Sequence, residues 1–484
     1  MKKNKFISIT NYIKDIIKSS PFYLHTYICG GGIRDFIMGN EIKDIDLVID
    51  MENGGVEFAK FCMDSNLLTH DVVIYERFGT AMFKFLKFPD DEIECVMTRG
   101  EKYPDRNSRN PETVYASIED DCIRRDLTIN ALYYNISTGE IVDMVGGLND
   151  IENKVIRTTN ENPDIVFDDD PLRVLRVVRF SSRYGWEIEP KTYESMKRYV
   201  DRLEIISKER IKDEFNKILL SENASMGIRT LCDIGAMKYI IPEVDEMIGM
   251  EQTAFHFGDV FEHTMALLDY DVKHFQFEDI TVRLALLLHD IGKIRTRSVG
   301  NDGRVHFYEH EFVGSEMVVD ILKRLKYDNK TIDDVRFLIK NHMRTKNFRN
   351  DCEKIKPKHF NKLAYACKNE YRYKSLARVI DCDNNSHKAE HNITGQYDYF
   401  VRHIDDAFKM FNYKLPVNGN DVMDALKISG GVLVKKILER LLNQAFQNPD
   451  KLSKDSCLKQ IPVIAKEIIK KDYKLFEDNF IKYQ

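Results

Sequence analysis

The segment CGGGIRDFIMGNEIKDIDLVID, residues 29–50, contains the residues best suited to chemistry on a phosphate. Three consecutive glycines at 30–32 allow the backbone to approach a ligand closely. Asp44 and Asp46 are two positions apart, so alternation along a strand places both on one face. Two neighbouring carboxylates repel each other unless a cation lies between them, and Mg²⁺ prefers carboxylate and phosphate oxygens. The segment therefore predicts a metal-dependent phosphate site.

A turn, a short helix and a strand must position these groups. A helix beginning at Ile33 would point its free N–H groups at a phosphate, and Arg34 lies in its first turn. Ile45, Leu47 and Ile49 alternate with the aspartates, so we expect them to face a core. A D-x-D pair alone is more often an exposed acidic turn. The glycines and the arginine upstream favour the metal site.

A second candidate element is FDDDPLRVLRVVRF, residues 167–180. Asp170 is expected to cap a helix that begins with the following proline. Arg173, Arg176 and Arg179 recur every three residues and share one broad face of that helix. Three guanidinium groups on one face need an anion opposite them, and a triphosphate or an RNA backbone would supply it. The alternative is that Asp170 only caps the helix and that local acids pair with the arginines.

A third constellation combines histidines with aspartates in the middle of the chain. His263, the adjacent pair His289 and Asp290, and Asp383 are residue types that hold a hard or borderline divalent ion. Three further histidines could complete a two-metal site: His306, His310 and His342. Asp381 is the alternative to Asp383 for the last ligand.

The bulk composition predicts a globular, multidomain protein. The 484 residues, of which 43% are hydrophobic and 31% charged, suit three or four domains. Short apolar runs at 44–49, 81–85 and 93–97 indicate strands, whereas helical spacing prevails after about residue 165. The predicted divisions are 1–150, 151–245, 246–395 and 396–484. The fold class is therefore α+β: a mixed sheet with helices, followed by mostly helical parts.

Cysteine usage and charge indicate the compartment and the partners. The nine cysteines include no C-x-x-C pair, which favours reduced thiols and a cytoplasmic protein. No apolar run approaches the length of a membrane-spanning helix, so we expect no membrane partner. The net charge of −6 does not exclude RNA, because local basic faces rather than the sum decide such binding. The sequence does not indicate the oligomeric state.

Several motifs, in order, resemble one family. G-G-x-R-D followed by D-x-D is similar to the head of the class II tRNA nucleotidyltransferase and bacterial poly(A) polymerase family, within the DNA polymerase beta superfamily. RRDLTINA at 124–131 resembles that family's R-R-D-x-T-x-N-A motif. DDPLR at 169–173 resembles its E-D-x-x-R element, with Asp169 in place of the glutamate. RFGTA at 77–81 and IECVMTR at 93–99 resemble the family's next strand regions.

The resemblance implies a role for each matched residue. Asp44 and Asp46 would be catalytic and would hold two Mg²⁺ ions, and Asp170 with Arg173 would read the Watson–Crick edge of the incoming base. The implied triphosphate and nucleotide contacts are Gly31, Arg34, Arg125, Arg176 and Arg179. Asn130 would orient the site. Glu94 is either a third carboxylate or an exposed strand residue. Arg210 and Glu214 resemble a helix-stabilising i, i+4 pair, which an ordinary helix salt bridge would explain equally well.

The implied activity is template-independent addition of C and A to the 3′ end of tRNA, from CTP and ATP, with release of pyrophosphate. YPDRNSRNP at 103–111 resembles the family's flexible loop, which argues against an enzyme that adds only CC. A poly(A) polymerase or an A-adding enzyme remains the nearest alternative. The histidine–aspartate set resembles the HD phosphohydrolases, so a metal-dependent phosphohydrolase with an RNA-binding head is the alternative of another class.

Overall fold

The computed structural model describes residues 3–102, 112–252, 258–344, 357–386 and 395–471. The chain packs into two compact units, with the division between Asp245 and Glu246. The short segment Arg324–Lys326 packs with the first unit. The four predicted divisions of the chain are finer than this and remain a prediction.

The first unit begins with a mixed sheet and five helices. The strands are β1 (Thr26–Cys29), β2 (Ile45–Ile49), β3 (Val73–Tyr75), β4 (Thr80–Phe83), β5 (Ile93–Met97), β6 (Arg99–Lys102), β7 (Glu112–Tyr115), β8 (Leu132–Asn135) and β9 (Ile141–Asp143). The helices are α1 (Lys3–Ile17), α2 (Gly31–Ile37), α3 (Gly54–Asp64), α4 (Ile118–Ile123) and α5 (Gly147–Asn153). Three-residue 3₁₀ turns lie at Glu76–Phe78 and Thr128–Asn130.

Seven strands of the described chain form one sheet in the order β3-β4-β5-β2-β1-β8-β9. Only β2 and β5 pair in parallel, and the other neighbours are antiparallel. Because β1 runs antiparallel to β2, the end of β1 and the start of β2 meet at one edge of the sheet. The glycine turn follows β1, so this topology brings it to the two aspartates.

The two faces of the sheet carry different cores. Ile45, Leu47 and Ile49 are 0–1% exposed and belong to the larger cluster, which also contains apolar residues of α1 and α3. Val48 points to the other face and packs with Tyr133 in a smaller cluster. The predicted alternation along this strand is therefore confirmed, and Asp46 shares its side of the sheet with Val48.

The rest of the first unit is helical except for two short strands. The elements are β10 (Val155–Ile156), α6 (Pro163–Asp169), α7 (Leu172–Tyr184), β11 (Glu187–Ile188), α8 (Pro190–Tyr199), α9 (Lys208–Leu219), α10 (Ala224–Asp233), α11 (Met237–Ile240) and α12 (Pro242–Asp245). β10 and β11 pair in parallel. Gly185, with φ 66°, ends α7 in the left-handed region that favours glycine.

The second unit contains two helical groups. The histidine-rich group has α13 (Val260–His274), α14 (Ile280–Leu288), α15 (Lys293–Thr296), β12 (Arg297–Val299), β13 (Val305–Phe307), α16 (His310–Arg324), α17 (Asn329–Asn341), α18 (Pro357–Cys367) and α19 (Glu370–Asn385). The tail has α20 (Gln396–Arg402), α21 (Ile404–Phe411), α22 (Gly419–Leu426), α23 (Val432–Ala445) and α24 (Lys454–Lys471). α22, α23 and α24 share one apolar cluster of their own.

The predicted fold class is confirmed, with small differences at element ends. β4 ends at Phe83 rather than 85, because Phe85 makes only an isolated bridge with Leu68. The eight cysteines in the described residues are all free thiols. Among the helices that the structure describes, none is long and apolar enough to cross a membrane. The loop predicted at 103–111 lies outside the described residues.

Candidate functional site

The glycine turn after β1 places its backbone against the aspartates. Gly30 has φ 70°, a left-handed conformation that a side chain disfavours. A Cβ atom there would lie 3.5 Å from Nη1 of Arg125 and 3.9 Å from Oδ2 of Asp46. α2 begins at Gly31, two residues earlier than predicted, because the turn is complete at Gly30. Of the three glycines, only Gly30 uses a positive φ.

Asp44 and Asp46 line the same cavity, which measures about 440 Å³ and is called the head cavity here. It is bordered by Gly30, Gly31, Gly32, Arg34, Asp35, Lys43, Asp44, Asp46, Arg125, Asp126, Asn130, Arg176, Arg179, Phe180 and Arg183. The structure thus brings together the glycine turn, both aspartates and most of the predicted arginines. Six cationic side chains around one opening suit an anionic ligand.

The carboxylates at this edge destabilise one another's charged form. Burial, then the negative charge of Glu94 and of Asp44, raise the pKa of Asp46 to about 6, although Arg125 opposes the shift. A divalent cation would relieve this repulsion, so the donor set fits one. Glu94 lies opposite Asp46 in the sheet but is exposed and does not border the cavity. Its role as a third ligand stays a prediction.

Arg34 is held firmly at the cavity wall. It is 4% exposed and donates through Nε to Asp35 at 3.0 Å and through Nη1 to the side-chain oxygen of Asn130. Its guanidinium also lies 5.1 Å from the ring of Phe180. Asn130 in turn donates to Asp126 at 3.1 Å. Asn130 therefore orients Arg34, and its role in orienting the bound nucleotide stays a prediction.

Two of the predicted arginines on α7 already have buried carboxylate partners. Arg176 donates to Asp126 at 2.6 Å, and Arg179 donates to Glu214 at 2.8 Å. The expectation that three free guanidinium groups need an external anion is therefore wrong for this pair. These ion pairs fix the arginines at the cavity wall, and both side chains still border the opening.

Asp170 and Arg173 lie beside the cavity rather than in its lining. The predicted cap is displaced by one residue: α7 begins at Leu172 and its N-cap position is Pro171, whereas Asp170 ends α6. The side chain of Asp170 still accepts from the N–H of Leu172 at 3.1 Å. Arg173 is 8% exposed and donates to the carbonyl oxygens of Arg124, at 2.7 Å, and Val166, at 3.2 Å. The base-reading role of this pair stays a prediction.

The expected pairing within α9 is wrong. Arg210 donates to Asp170 at 2.8 Å, and Glu214 accepts from Arg179. Glu214 therefore links α9 to α7, and Arg210 links α9 to the residue at the junction of α6 and α7, because each finds a partner of opposite charge there. The cavity is also lined by three residues that the sequence motifs did not predict, Asp35, Lys43 and Arg183. Arg183 follows Arg179 by four positions, a helical spacing that could have identified it.

The histidine–aspartate set is brought together as predicted, with one exception. His289 and His310 place Nε2 3.1 and 3.2 Å from the two carboxylate oxygens of Asp290, and Nε2 of His342 lies 3.9 Å away. Nε2 of His263 lies 3.1 Å from Asp383, whereas Asp381 accepts from Tyr270 instead. His306 is wrong as a ligand, because the hairpin of β12 and β13 places it beside Asp302, 4.0 Å away.

The ring orientations favour metal binding over hydrogen bonding. Each of the four rings has Nδ1 at a backbone carbonyl: His263 at Ser386, His289 at Leu286, His310 at Phe307 and His342 at Ile339. A carbonyl only accepts, so Nδ1 carries the hydrogen, and whenever such a ring is neutral its lone pair lies at Nε2. Burial disfavours the charged ring of His289, but the charge of Asp290 outweighs burial and raises the pKa of His289. Nε2 of His289, His310 and His342 has no hydrogen-bond partner among the described residues.

Two overlapping groups of ligand atoms result. His263, His289 and Asp290 form one, and Asp290, His310 and His342 form the other, each with atoms within 4.8 Å of one another. All five side chains are buried. Burial, and then the neighbouring His289, lower the pKa of His342 to about 3, so this ring stays neutral. The donor set therefore fits one or two divalent cations with Asp290 between them.

Three segments of the chain match known protein families. Residues 26–157 match the poly A polymerase head domain. Residues 185–248 match the probable RNA and SrmB-binding site of polymerase A. Residues 253–381 match the HD domain. These segments contain the head cavity's glycine turn and the four histidines.

Comparison with individual proteins agrees. The multifunctional CCA protein of Acinetobacter baumannii is 30% identical over 331 residues, which cover 66% of this chain and 74% of that protein. The A-adding tRNA nucleotidyltransferase of Deinococcus radiodurans is 35% identical over 331 residues, 67% of this chain and 70% of that protein. The CCA-adding enzyme of Bacillus stearothermophilus, solved in complex with CTP, shares the fold, with a TM-score of 0.67 at 19% identity over 96% of this chain and 99% of that one.

Proposed function

The chain belongs to the family of tRNA nucleotidyltransferases and bacterial poly(A) polymerases, and from that premise we propose that it adds C and A to the 3′ end of tRNA. CTP and ATP are the substrates and pyrophosphate is the second product. The observation that carries the proposal is the head cavity, where two aspartates and a glycine turn face a wall of arginines. The aspartates, the glycine turn, Arg34 and Arg125 belong to the motifs that resemble those of the family.

In the proposed reaction the 3′ hydroxyl oxygen of the RNA attacks the α-phosphorus of the nucleotide. A bond forms between that oxygen and phosphorus, the bond to the β-phosphate bridge breaks, and the hydroxyl loses its proton. Asp44 and Asp46 would hold two Mg²⁺ ions, which when bound activate the hydroxyl and neutralise the leaving pyrophosphate. The protein contributes positioning and fixed charge rather than covalent chemistry.

The cavity's cations are placed to bind the triphosphate. The backbone of Gly31, with Arg34 beside it, would contact the phosphates nearest the turn. Arg125, Arg176 and Arg179 would contact the rest of the nucleotide, since all three border the same opening. Their ion pairs with Asp121, Asp126 and Glu214 hold the guanidinium groups in place before the ligand arrives. Binding therefore costs little side-chain ordering.

Asp170 and Arg173 would select the base of the incoming nucleotide without a nucleic-acid template. Together they offer the acceptors and donors that distinguish C and A from U and G. Arg210 holds Asp170 at 2.8 Å, and two backbone carbonyls hold Arg173. A rigid pair can discriminate by hydrogen-bond pattern, because a mismatched base leaves buried polar groups unpaired.

The test is a primer extension on tRNA that lacks its terminal CCA, with CTP, ATP or both, and Mg²⁺. Addition of three residues in the presence of both nucleotides supports the proposal, and D46N should abolish it. D71N, which changes an exposed acid of the same sheet region, serves as the matched control. Absence of any extension by the folded wild-type protein would refute it.

An A-adding enzyme is the second candidate, because the relative with 35% identity carries that name. The same assay separates the two on tRNA that ends in CC and on tRNA that lacks all three residues. An A-adding enzyme extends only the first substrate, by one residue. Long adenosine tails on unrelated RNAs would instead indicate a poly(A) polymerase.

The HD part is proposed to hold divalent cations and to hydrolyse a phosphate ester. The supporting observation is the set of four buried imidazoles that turn Nε2 toward Asp290 or Asp383, with Nδ1 held by a backbone carbonyl. Bound cations would supply an activated water and neutralise phosphate charge. Release of phosphate from RNA ends or from nucleotides, tested with Mn²⁺, Ni²⁺ and Mg²⁺ separately, checks this function, and the variant D290N is expected to lose it.

A further inference from the structure

Asp121 is a buried carboxylate behind the head cavity to which none of the matched motifs gives a role. It lies in α4 and is 1% exposed. Nη2 of Arg124 donates to it at 2.6 Å, and Nη2 of Arg125 donates to it at 3.0 Å. The hydroxyl of Tyr133 also donates to it, and so does the N–H of Arg99, at 3.2 Å. One carboxylate therefore accepts hydrogen bonds from four residues: two that directly follow α4, one in β6 and one in β8.

The hydrogen bonds that Arg125 makes within the described part of the chain involve Nε and Nη2, which leaves Nη1 for a ligand. Its Nε donates to the hydroxyl oxygen of Tyr133 at 2.8 Å, and its Nη2 donates to Sγ of Cys29 at 3.1 Å as well as to Asp121. Nη1 is the nitrogen that faces the turn, 3.5 Å from the position a Cβ of Gly30 would take. Asp121 and Tyr133 thus set the direction in which Arg125 presents Nη1 to the cavity.

Arg124 connects Asp121 to Arg173 of α7. Its Nε donates to the carbonyl of Arg99 at 2.6 Å, and its own carbonyl accepts from Nη2 of Arg173 at 2.7 Å. Because Asp121 holds the side chain of Arg124, it also limits the movement of the Arg124 carbonyl group, to which Arg173 donates. Two arginines on separate elements, Arg125 and Arg173, are therefore oriented from one buried charge.

We propose that Asp121 is a positioning residue that couples nucleotide affinity, through Arg125, to the choice of base, through Arg124 and Arg173. This inference rests on the proposed function, since it takes CTP and ATP as the ligands, Arg125 as a nucleotide contact and Arg173 as a base-reading residue. Burial opposes the charge of Asp121, but Arg125 and Arg124 outweigh it and lower the pKa to about 2. The carboxylate is therefore ionised at neutral pH, and an asparagine could not satisfy both guanidinium groups.

The test compares D121N, the milder variant Y133F and the control E119Q, which changes an exposed acid on the same helix. Equilibrium binding of CTP, ATP, GTP and UTP is measured without tRNA, and then KM and kcat for extension of tRNA. D121N is expected to weaken CTP and ATP binding by about 10-fold and to lower the preference for them over GTP and UTP by a similar factor, as loss of a charged hydrogen bond would. Y133F should shift both quantities in the same direction by less, and E119Q should match the wild type.

Unchanged affinity and unchanged preference in folded D121N would overturn the proposal. A uniform loss of kcat without a change in preference would also overturn it, because a merely structural role predicts that result. If D121N fails to fold, the proposal is tested on Y133F by the same two quantities, the affinity for CTP and ATP and the preference for them over GTP and UTP. Wild-type protein that binds nucleotides but does not extend tRNA would refute the proposed function, and the binding data would still decide the role of Asp121.

Discussion

Asp46 and Glu94 lie directly opposite each other in the parallel register of β2 and β5. After burial, Glu94 makes the largest contribution to the raised pKa of Asp46, ahead of Asp44 in the same segment. Two strands that are distant in sequence therefore contribute negative charge to one sheet edge. The cavity beside that edge is bordered by arginines, so the site combines a cation-binding side with an anion-binding side.

Removal of either cavity aspartate should abolish nucleotide transfer. D44N and D46N keep the side-chain shape but remove the charge that would hold Mg²⁺. We expect a loss greater than the roughly 10- to 100-fold typical of a changed outer-shell residue. Extension of tRNA is measured at saturating CTP, ATP and Mg²⁺, with unfolding curves as a check of the fold. E94Q should lose less than either, and full activity of D46N would contradict the metal assignment.

The change R173K should affect nucleotide choice more than rate. Lysine keeps the charge but cannot donate to the carbonyls of Arg124 and Val166 while also presenting a fork to a base. The expected result is a lower ratio of kcat/KM for CTP and ATP over UTP and GTP, with kcat for the correct nucleotides changed less. R198K, at a half-exposed ion pair with Asp164, is the matched control. An unaltered ratio in R173K would count against base reading.

The stability contributed by Asp121 should depend on pH. Its folded-state pKa of about 2 lies below the 3.8 of an ordinary aspartate, so the contribution is fully present above pH 3.8 and is lost as the pH falls towards 2. This difference corresponds to about 2 kcal/mol. Urea unfolding of the wild type and D121N at pH 7, 5 and 3.5 should show a gap that narrows only at the lowest pH. A gap that stays constant over this range would contradict the ionised, paired state.

The metal content of variants should show which histidines of the segment that matches the HD domain, residues 253–381, bind a cation. We expect D290N to lose both bound cations, because Asp290 belongs to both groups of ligand atoms. H342A should lose only the one shared with His310. H306A should keep the wild-type content, since His306 lies beside Asp302 on the hairpin. Elemental analysis after equilibration with Mn²⁺ and desalting measures this, and equal content in all four proteins would refute the two-cation site.

Gly55 allows α3 to pack against the sheet, and its replacement should destabilise the head. A Cβ atom there would lie 2.3 Å from the carbonyl oxygen of Cys95 and 2.5 Å from that of Gly79. Because both atoms are backbone, the helix must shift, and we expect G55A to lose about 1–3 kcal/mol. G431A adds a Cβ to open space and should change little. Thermal unfolding compares them, and equal midpoints would show that the contact is relaxed at small cost.

Several features of the head could be predicted from local patterns in the sequence. The alternation of Asp44 and Asp46 with Ile45 and Leu47 was sufficient to predict that the aspartates lie on the side of the strand opposite these apolar residues, because side chains in a strand alternate with period two. The bond from the N–H of Leu172 to the Asp170 side chain followed in the same way from residue type, although the helix begins one residue later than the pattern predicts. The gathering of His263, His289, Asp290 and Asp383 followed from the family resemblance.

Only the tertiary structure decided which charges meet. Arg176 pairs with Asp126 and Arg179 with Glu214, at separations of 50 and 35 residues in the sequence. Two arginines that were predicted to face an external anion therefore form ion pairs within the protein. His306 and His310 are four residues apart, yet only His310 reaches Asp290. Sequence spacing determines the face of a helix or strand on which a side chain lies. The packing of distant elements determines what stands opposite that face, and no local pattern contains this information.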